Sequence, residues 1–99
     1  MSDSDVIFVG KKPVMAYVGS AVVGLQTHDS IMFEARGNAM NAAIDAANML
    51  FRQIKDTYKI EGVSIHEEEI EQDGQKRNIS GISITHLKTN HLVKFSRSS

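Results

Sequence analysis

The sequence predicts an α+β domain whose elements run β-α-β-α-β-β, and three observations carry that prediction. Two short runs rich in β-branched and aromatic residues, VIFVG (6–10) and IMFEAR (31–36), each stop at a glycine, as strands do at a turn. An alanine-rich segment, AMNAAIDAANMLFRQI (39–54), keeps its apolar residues at helical spacing. Asp73-Gly74 separates two further apolar runs and reads as a hairpin turn, because a type I′ turn needs positive φ at both central positions.

Taken in order, the first strand covers residues 6–10. Pro13 then suits the first turn of a helix, where its missing N–H costs nothing. From there to about Leu25, the residues Val14, Tyr17, Val18, Ala21, Val22 and Leu25 recur at helical spacing, while Gly19 and Gly24 weaken the helix. QTHDS turns the chain into the second strand, which Gly37 breaks. Asn38 reads as the N-cap of the second helix, and Met40, Ala43, Ile44, Ala47, Leu50, Phe51 and Ile54 form its apolar stripe. A third strand runs from Lys59 to about Ile70, carrying Ile60, Val63 and Ile65. The fourth (78–87) alternates Ile79, Ile82 and Ile84 with small polar residues, and its slip at Gly81 is an expected bulge. Residues 1–88 are thus expected to form one domain and 89–99, polar apart from LVKF, a flexible tail. No internal repeat is present.

Composition narrows the function. Ninety-nine residues with 41% hydrophobic and 23% charged side chains make an ordinary soluble domain with a single core. No stretch approaches the roughly 20 consecutive apolar residues of a membrane span, and the acidic start, MSDSD, does not read as a secretory signal. The absence of cysteine removes disulfides, thiolate metal sites and cysteine nucleophiles together. Net charge is −1. Any affinity for nucleic acid must therefore come from where the charges sit rather than from their sum.

Consecutive β-α units favour parallel strands. If the first three strands are parallel, their C-terminal ends share one edge of the sheet. That edge would hold Gly10-Lys11-Lys12, Arg36-Gly37-Asn38 and the tip of the Asp73-Gly74 hairpin. Two helix N-termini there would present unpaired N–H groups to an anion, and Lys11, Lys12 and Arg36 would add full charges. Exposed lysines are also ordinary solvated residues; their convergence is what points to an anionic partner.

VIFVGKKPVMAYV, IMFEARGNAMNAAIDAANML and EQDGQKRNISGISI, in this order and at this separation, resemble the Alba family of archaeal chromatin proteins over about Val6 to Leu87. The resemblance implies a two-layer βαβαββ sandwich with a four-stranded mixed sheet, two helices on one face and a long hairpin arm from the last two strands. It also implies a homodimer that binds double-stranded DNA through phosphates with little sequence preference, in the cytoplasm and on the chromosome. Lys11 and Lys12 fall on the family's loop lysines and Arg36 on its arginine before glycine. Lys11 is the candidate for acetylation, which would remove a phosphate contact. Asn38 is a candidate hydrogen-bond donor near the second helix start. Lys76 and Arg77, near the hairpin tip, are candidates for a groove or its phosphates. Phe51 and Ile54 are candidates for a contact between dimers, with simple burial as the competing reading.

The departures from the family are as informative. Relatives often carry a basic residue after the Arg-Gly pair and another on the first turn of the second helix, where this chain has Asn38 and Ala42; the asparagine common after PVM is Ala16. HEEEIEQD places five acidic residues between His66 and Asp73. Glu71 is expected opposite Lys76 across the ladder, whereas Glu67, Glu68 and Glu69 have no obvious partner. His66 beside three glutamates is not a metal site, because adjacent strand residues point to opposite faces. No cofactor is expected, and no nucleophile elbow, Walker loop or Rossmann fingerprint supports an enzyme. Three functions stay open: a DNA-coating chromatin protein, an RNA-binding protein acting in RNA stabilisation or processing, and a protein-interaction module.

Overall fold

The computed structural model describes residues 4–89. Strand β1 (Ser4–Phe8) is followed by helix α1 (Val14–Gly24), strand β2 (Ser30–Arg36), a 3₁₀ turn (Gly37–Ala39), helix α2 (Met40–Ile54), strand β3 (Tyr58–Gln72) and strand β4 (Gln75–Lys88). The sheet order is β1-β2-β4-β3. β1 pairs parallel with β2, and β4 pairs antiparallel with both neighbours. β1, β2 and β3 therefore point the same way, and the α+β class and mixed four-stranded sheet are as expected.

The core lies between one sheet face and the two helices. Ile7, Ile31, Phe33, Ala35, Ile82 and Ile84 meet Tyr17, Val18 and Ala21 of α1 and Ala43, Ala46, Ala47 and Leu50 of α2. On α2 this differs from the predicted stripe: Ala46 turns inward and Ile44 is exposed. The cause is closeness. Alanines at 43, 46 and 47 let the helix axis sit near the sheet, so the bulkier Ile44, Phe51 and Ile54 fall to the flanks. On α1, Val22 is likewise exposed and Gly24 is buried.

Two further differences are local. Asn38 does not cap α2. It lies inside the 3₁₀ turn, Ala39 occupies the N-cap position, and no side chain bonds there. Gly81 carries no bulge: it stays in register with Arg36 and His66, and the irregularity falls on β3 between Ile60 and Gly62. Beyond Gly81, β4 leaves β2, and the pairs from Glu67↔Ser80 to Gln72↔Gln75 extend as a free arm of about 20 Å. Asp73 and Gly74 close it with φ of 54° and 77°, as the turn requires. Of the expected tail, Thr89 donates to Thr57 O through both its N–H and its hydroxyl; residues 90–99 lie outside the described residues.

His86 is fully buried on β4. Its Nε2 donates to Ala47 O at 3.0 Å, its ring meets Phe33 edge-on at 5.8 Å, and Nδ1 finds no partner. Burial pushes its pKa below the usual 6.5, against a smaller upward effect of the Ala47 hydrogen bond. The unfolded chain then takes up the proton more readily than the folded one, so stability is lost as pH falls from about 6.5 through the folded-state pKa. We expect the melting temperature to drop between neutral pH and that window, and the drop to shrink in His86→Gln, as followed by circular dichroism.

Candidate nucleic-acid interface

The loop after β1 is held from below. Tyr17 stands on the buried side of α1, and its hydroxyl oxygen accepts the N–H of Gly10 at 2.8 Å and of Lys12 at 2.9 Å. A phenol at this depth needs polar partners, and these two fix the loop backbone while the Lys11 and Lys12 side chains stay exposed. α1 starts at Val14 after Pro13, with no side-chain cap and no acid in its first turn. α2 likewise has no side-chain cap and no acid in its first turn, but it continues from the 3₁₀ turn, whose Gly37 O accepts the Met40 N–H. The first amides of α1 and of the 3₁₀ turn thus face this edge, where water or an anion can accept from them.

Arg36 ends β2 on the sheet face away from the helices. Gly37 follows with φ of 56°, a conformation side-chain-bearing residues rarely adopt, and Asn38 comes next in the 3₁₀ turn. Lys11, Arg36 and Asn38 line a cleft of about 610 Å³ together with Phe8, Gly10, Glu34, His66 and Glu68. Lys12 sits beside this cleft in the same loop.

Across the cleft, Arg36 Nη1 donates to Glu68 Oε1 at 2.9 Å, with the side chains 58% and 43% exposed. Glu68 therefore has the partner that its own hairpin did not offer. Register explains the reach: Arg36, Gly81 and His66 lie side by side on three strands, and Gly81 puts no side chain between the two flanks. A Cβ on Gly81 would come within 2.5 Å of His66 Nε2, so the histidine ring needs the glycine to lie where it does.

The remaining predicted residues are elsewhere. Lys76 stands opposite Glu71, as expected, and Arg77 donates to Gln72 Oε1 at 2.8 Å. Both are at the arm tip, away from the cleft. Phe51 and Ile54 are half-buried near the end of α2. Sequence reasoning missed Tyr17 as a loop clamp and Glu68 as a partner for Arg36. It also missed Phe8 and His66 as cleft walls. A tyrosine hydroxyl four residues after a loop proline was the one usable signal. Among the described residues, no group of three or more histidines and carboxylates could hold a metal, and no helix is long and apolar enough to cross a membrane.

A βαβαββ sandwich with a glycine-lysine loop and an arginine-glycine turn on one edge and a protruding hairpin defines the Alba-like class. The Alba family model matches residues 5–67. The chain is 42% identical to the DNA/RNA-binding protein Alba of Nitrosopumilus maritimus over 82 residues, which cover 81% of this chain and 86% of that protein. It is 36% identical to the protein of the same name from Methanocella arvoryzae, covering 85% and 90%. The structure of Alba from Thermoplasma volcanium superposes with a TM-score of 0.77 at 31% identity, over 84% of this chain and 99% of that one. An Alba protein of Trypanosoma brucei shares the fold at 16% identity, with a TM-score of 0.64. This chain belongs to the Alba family.

The Tyr17 clamp is directly testable. Tyr17→Phe removes one acceptor from two amides, and each lost bond is worth about 1 kcal/mol net. The expected outcome is faster hydrogen exchange at the Gly10 and Lys12 amides, with exchange across β4 little changed.

Proposed function

We propose that this protein is a homodimer that binds double-stranded DNA through its phosphates with little sequence preference. On this reading it packages the chromosome in the cytoplasm and thereby controls access to genes. The observation that supports it best is the convergence of Lys11, Arg36 and Asn38 on one cleft, with Lys12 beside them and the first amides of α1 and of the 3₁₀ turn behind. We assign Lys11, Lys12 and Arg36 to backbone contacts and Asn38 to a hydrogen bond at the same edge. Lys76 and Arg77 reach a groove or its phosphates from the arm tip. Lys11 is the acetylation site that would switch one contact off. Phe51 and Ile54 are assigned to contacts between neighbouring dimers.

Dimerisation is supported by the stretch of β3 that leads into the arm. Val63 and Ile65 are 58% and 71% exposed. By register they stand beside Ile84 and Ile82, on the face that continues the core. Apolar residues placed so, past the end of the covering helix, fit a second copy. Ile65→Asp should give a monomer at micromolar concentration by sedimentation equilibrium, with an unchanged circular dichroism spectrum.

RNA is the second reading, favoured by the relatives' names, which carry both nucleic acids. The deciding experiment is a competition titration of duplex DNA, duplex RNA and single-stranded RNA of equal length at two salt concentrations. Duplex DNA binding should fall with salt. Lys11→Ala/Lys12→Ala should weaken it about equally across sequences and lower the salt slope by about 0.9 for each lost contact. Glu68→Gln should tighten it by freeing Arg36. Salt-independent binding would refute the phosphate mechanism, and a clear preference for RNA would move the protein to RNA metabolism.

A further inference from the structure

Phe8 is the part of the cleft that phosphate contact leaves unused. The alternation that buries Ile7 and Val9 turns Phe8 to the open face of the sheet, where it is 70% exposed. Its register partner there is Glu34, and Arg36 lies two residues further along the same face. Burying such a ring would gain about 1.5–3 kcal/mol, so folding alone gives no reason for an aromatic at this position.

The charges around Phe8 are equally telling. Lys11 and Arg36 are matched by Glu34 and Glu68, so the cleft walls are neutral overall. A cradle for phosphate alone would be positive. This one instead combines a flat apolar ring with amide and cationic donors and two carboxylate acceptors. A nucleobase has the matching chemistry: a π-face, and edges carrying both donors and acceptors. The volume of about 610 Å³ falls within the usual range of about 300–1,000 Å³ for sites that take small organic groups.

The geometry points to a binding site for one unpaired nucleobase, stacked on Phe8, with its flanking phosphate on Lys11 and its edge facing Asn38 and the carboxylates. This inference rests on the nucleic-acid reading above and adds to it a single-stranded segment as ligand. A base inside a duplex has both faces covered by its neighbours and cannot use the ring. The occupant is therefore a strand end, a loop or a single strand. His66, on β3, stands three strand spacings from Phe8, about 14 Å. It cannot sandwich the same base, and Phe8 acts as a one-sided platform.

The test is an affinity ratio. The full-length protein is titrated with a short uridine strand and with the same ribose-phosphate strand made abasic, and the pair is repeated with deoxyribose. The base-bearing strand should bind about five- to a hundredfold more tightly, the size of one aromatic stacking contact. Phe8→Ala and Phe8→Leu should bring the ratio close to one, whereas Phe8→Tyr should keep it; Leu preserves apolar bulk without a π-face. Lys11→Ala/Lys12→Ala should weaken both strands in parallel. A ratio held with either sugar supports the site, and the sugar with the larger ratio names the nucleic acid it serves. Equal binding of the two strands by a protein that still binds duplex DNA overturns this inference alone. A ratio that survives Phe8→Ala also overturns it. Failure to bind duplex and single strand alike would refute the nucleic-acid reading itself.

Discussion

β4 lies between β2 and β3 and bonds to both, and most of the molecule's geometry follows from that insertion. Its Ile82, Ile84 and His86 form much of the floor on which α2 rests. The alanines of α2 bring that helix close enough for Ala47 O to accept a hydrogen bond from His86 Nε2. A buried imidazole is tolerated here because it stays neutral and keeps one good hydrogen bond. Past Gly81, the same strand loses β2 on one side and continues as half of a ribbon. Two strands alone are marginal in water; this arm stands because its ladder is continuous with the packed part of the sheet.

Strand direction arranges the functional edge. β1 and β2 are parallel neighbours, so their C-terminal ends come out together, and β4, antiparallel to β2 and β3, sets β3 in the same direction. A lysine pair and an arginine thereby meet on a chain whose net charge is only −1. The arm also returns acids over that edge. The Arg36–Glu68 pair is half-exposed, and pairs of that kind contribute at most about 1 kcal/mol. The guanidinium is thus positioned by Glu68 without being committed to it. A phosphate offering two charge-assisted bonds competes with such a carboxylate on favourable terms.

The cleft takes its character from small residues as much as from charged ones. Gly81 leaves a trough that His66 fills and over which Arg36 reaches. Tyr17 fixes the lysine loop from the core side, so the position of Lys11 depends on packing beneath α1. Loop, turn and arm are therefore coupled to one core rather than being three independent appendages.

The sequence by itself determined the element order, the Asp73-Gly74 turn, the Glu71–Lys76 register and the family. Each of these is written in local spacing: alternation for strands, a 3.6-residue period for helices, positive-φ residues for the turn. It also placed the loop lysines and the arginine on one edge, because chain direction follows from β-α order. What only the tertiary structure decided are contacts between residues far apart in the chain. Arg36 with Glu68, His66 over Gly81, and His86 under Ala47 all depend on which strand lies beside which. The inward turn of Ala46 in place of Ile44, and the loss of Asn38 as a cap to a 3₁₀ turn, were decided in the same way. How closely a helix approaches its sheet, and how a chain enters that helix, are set by the packed whole and not by periodicity.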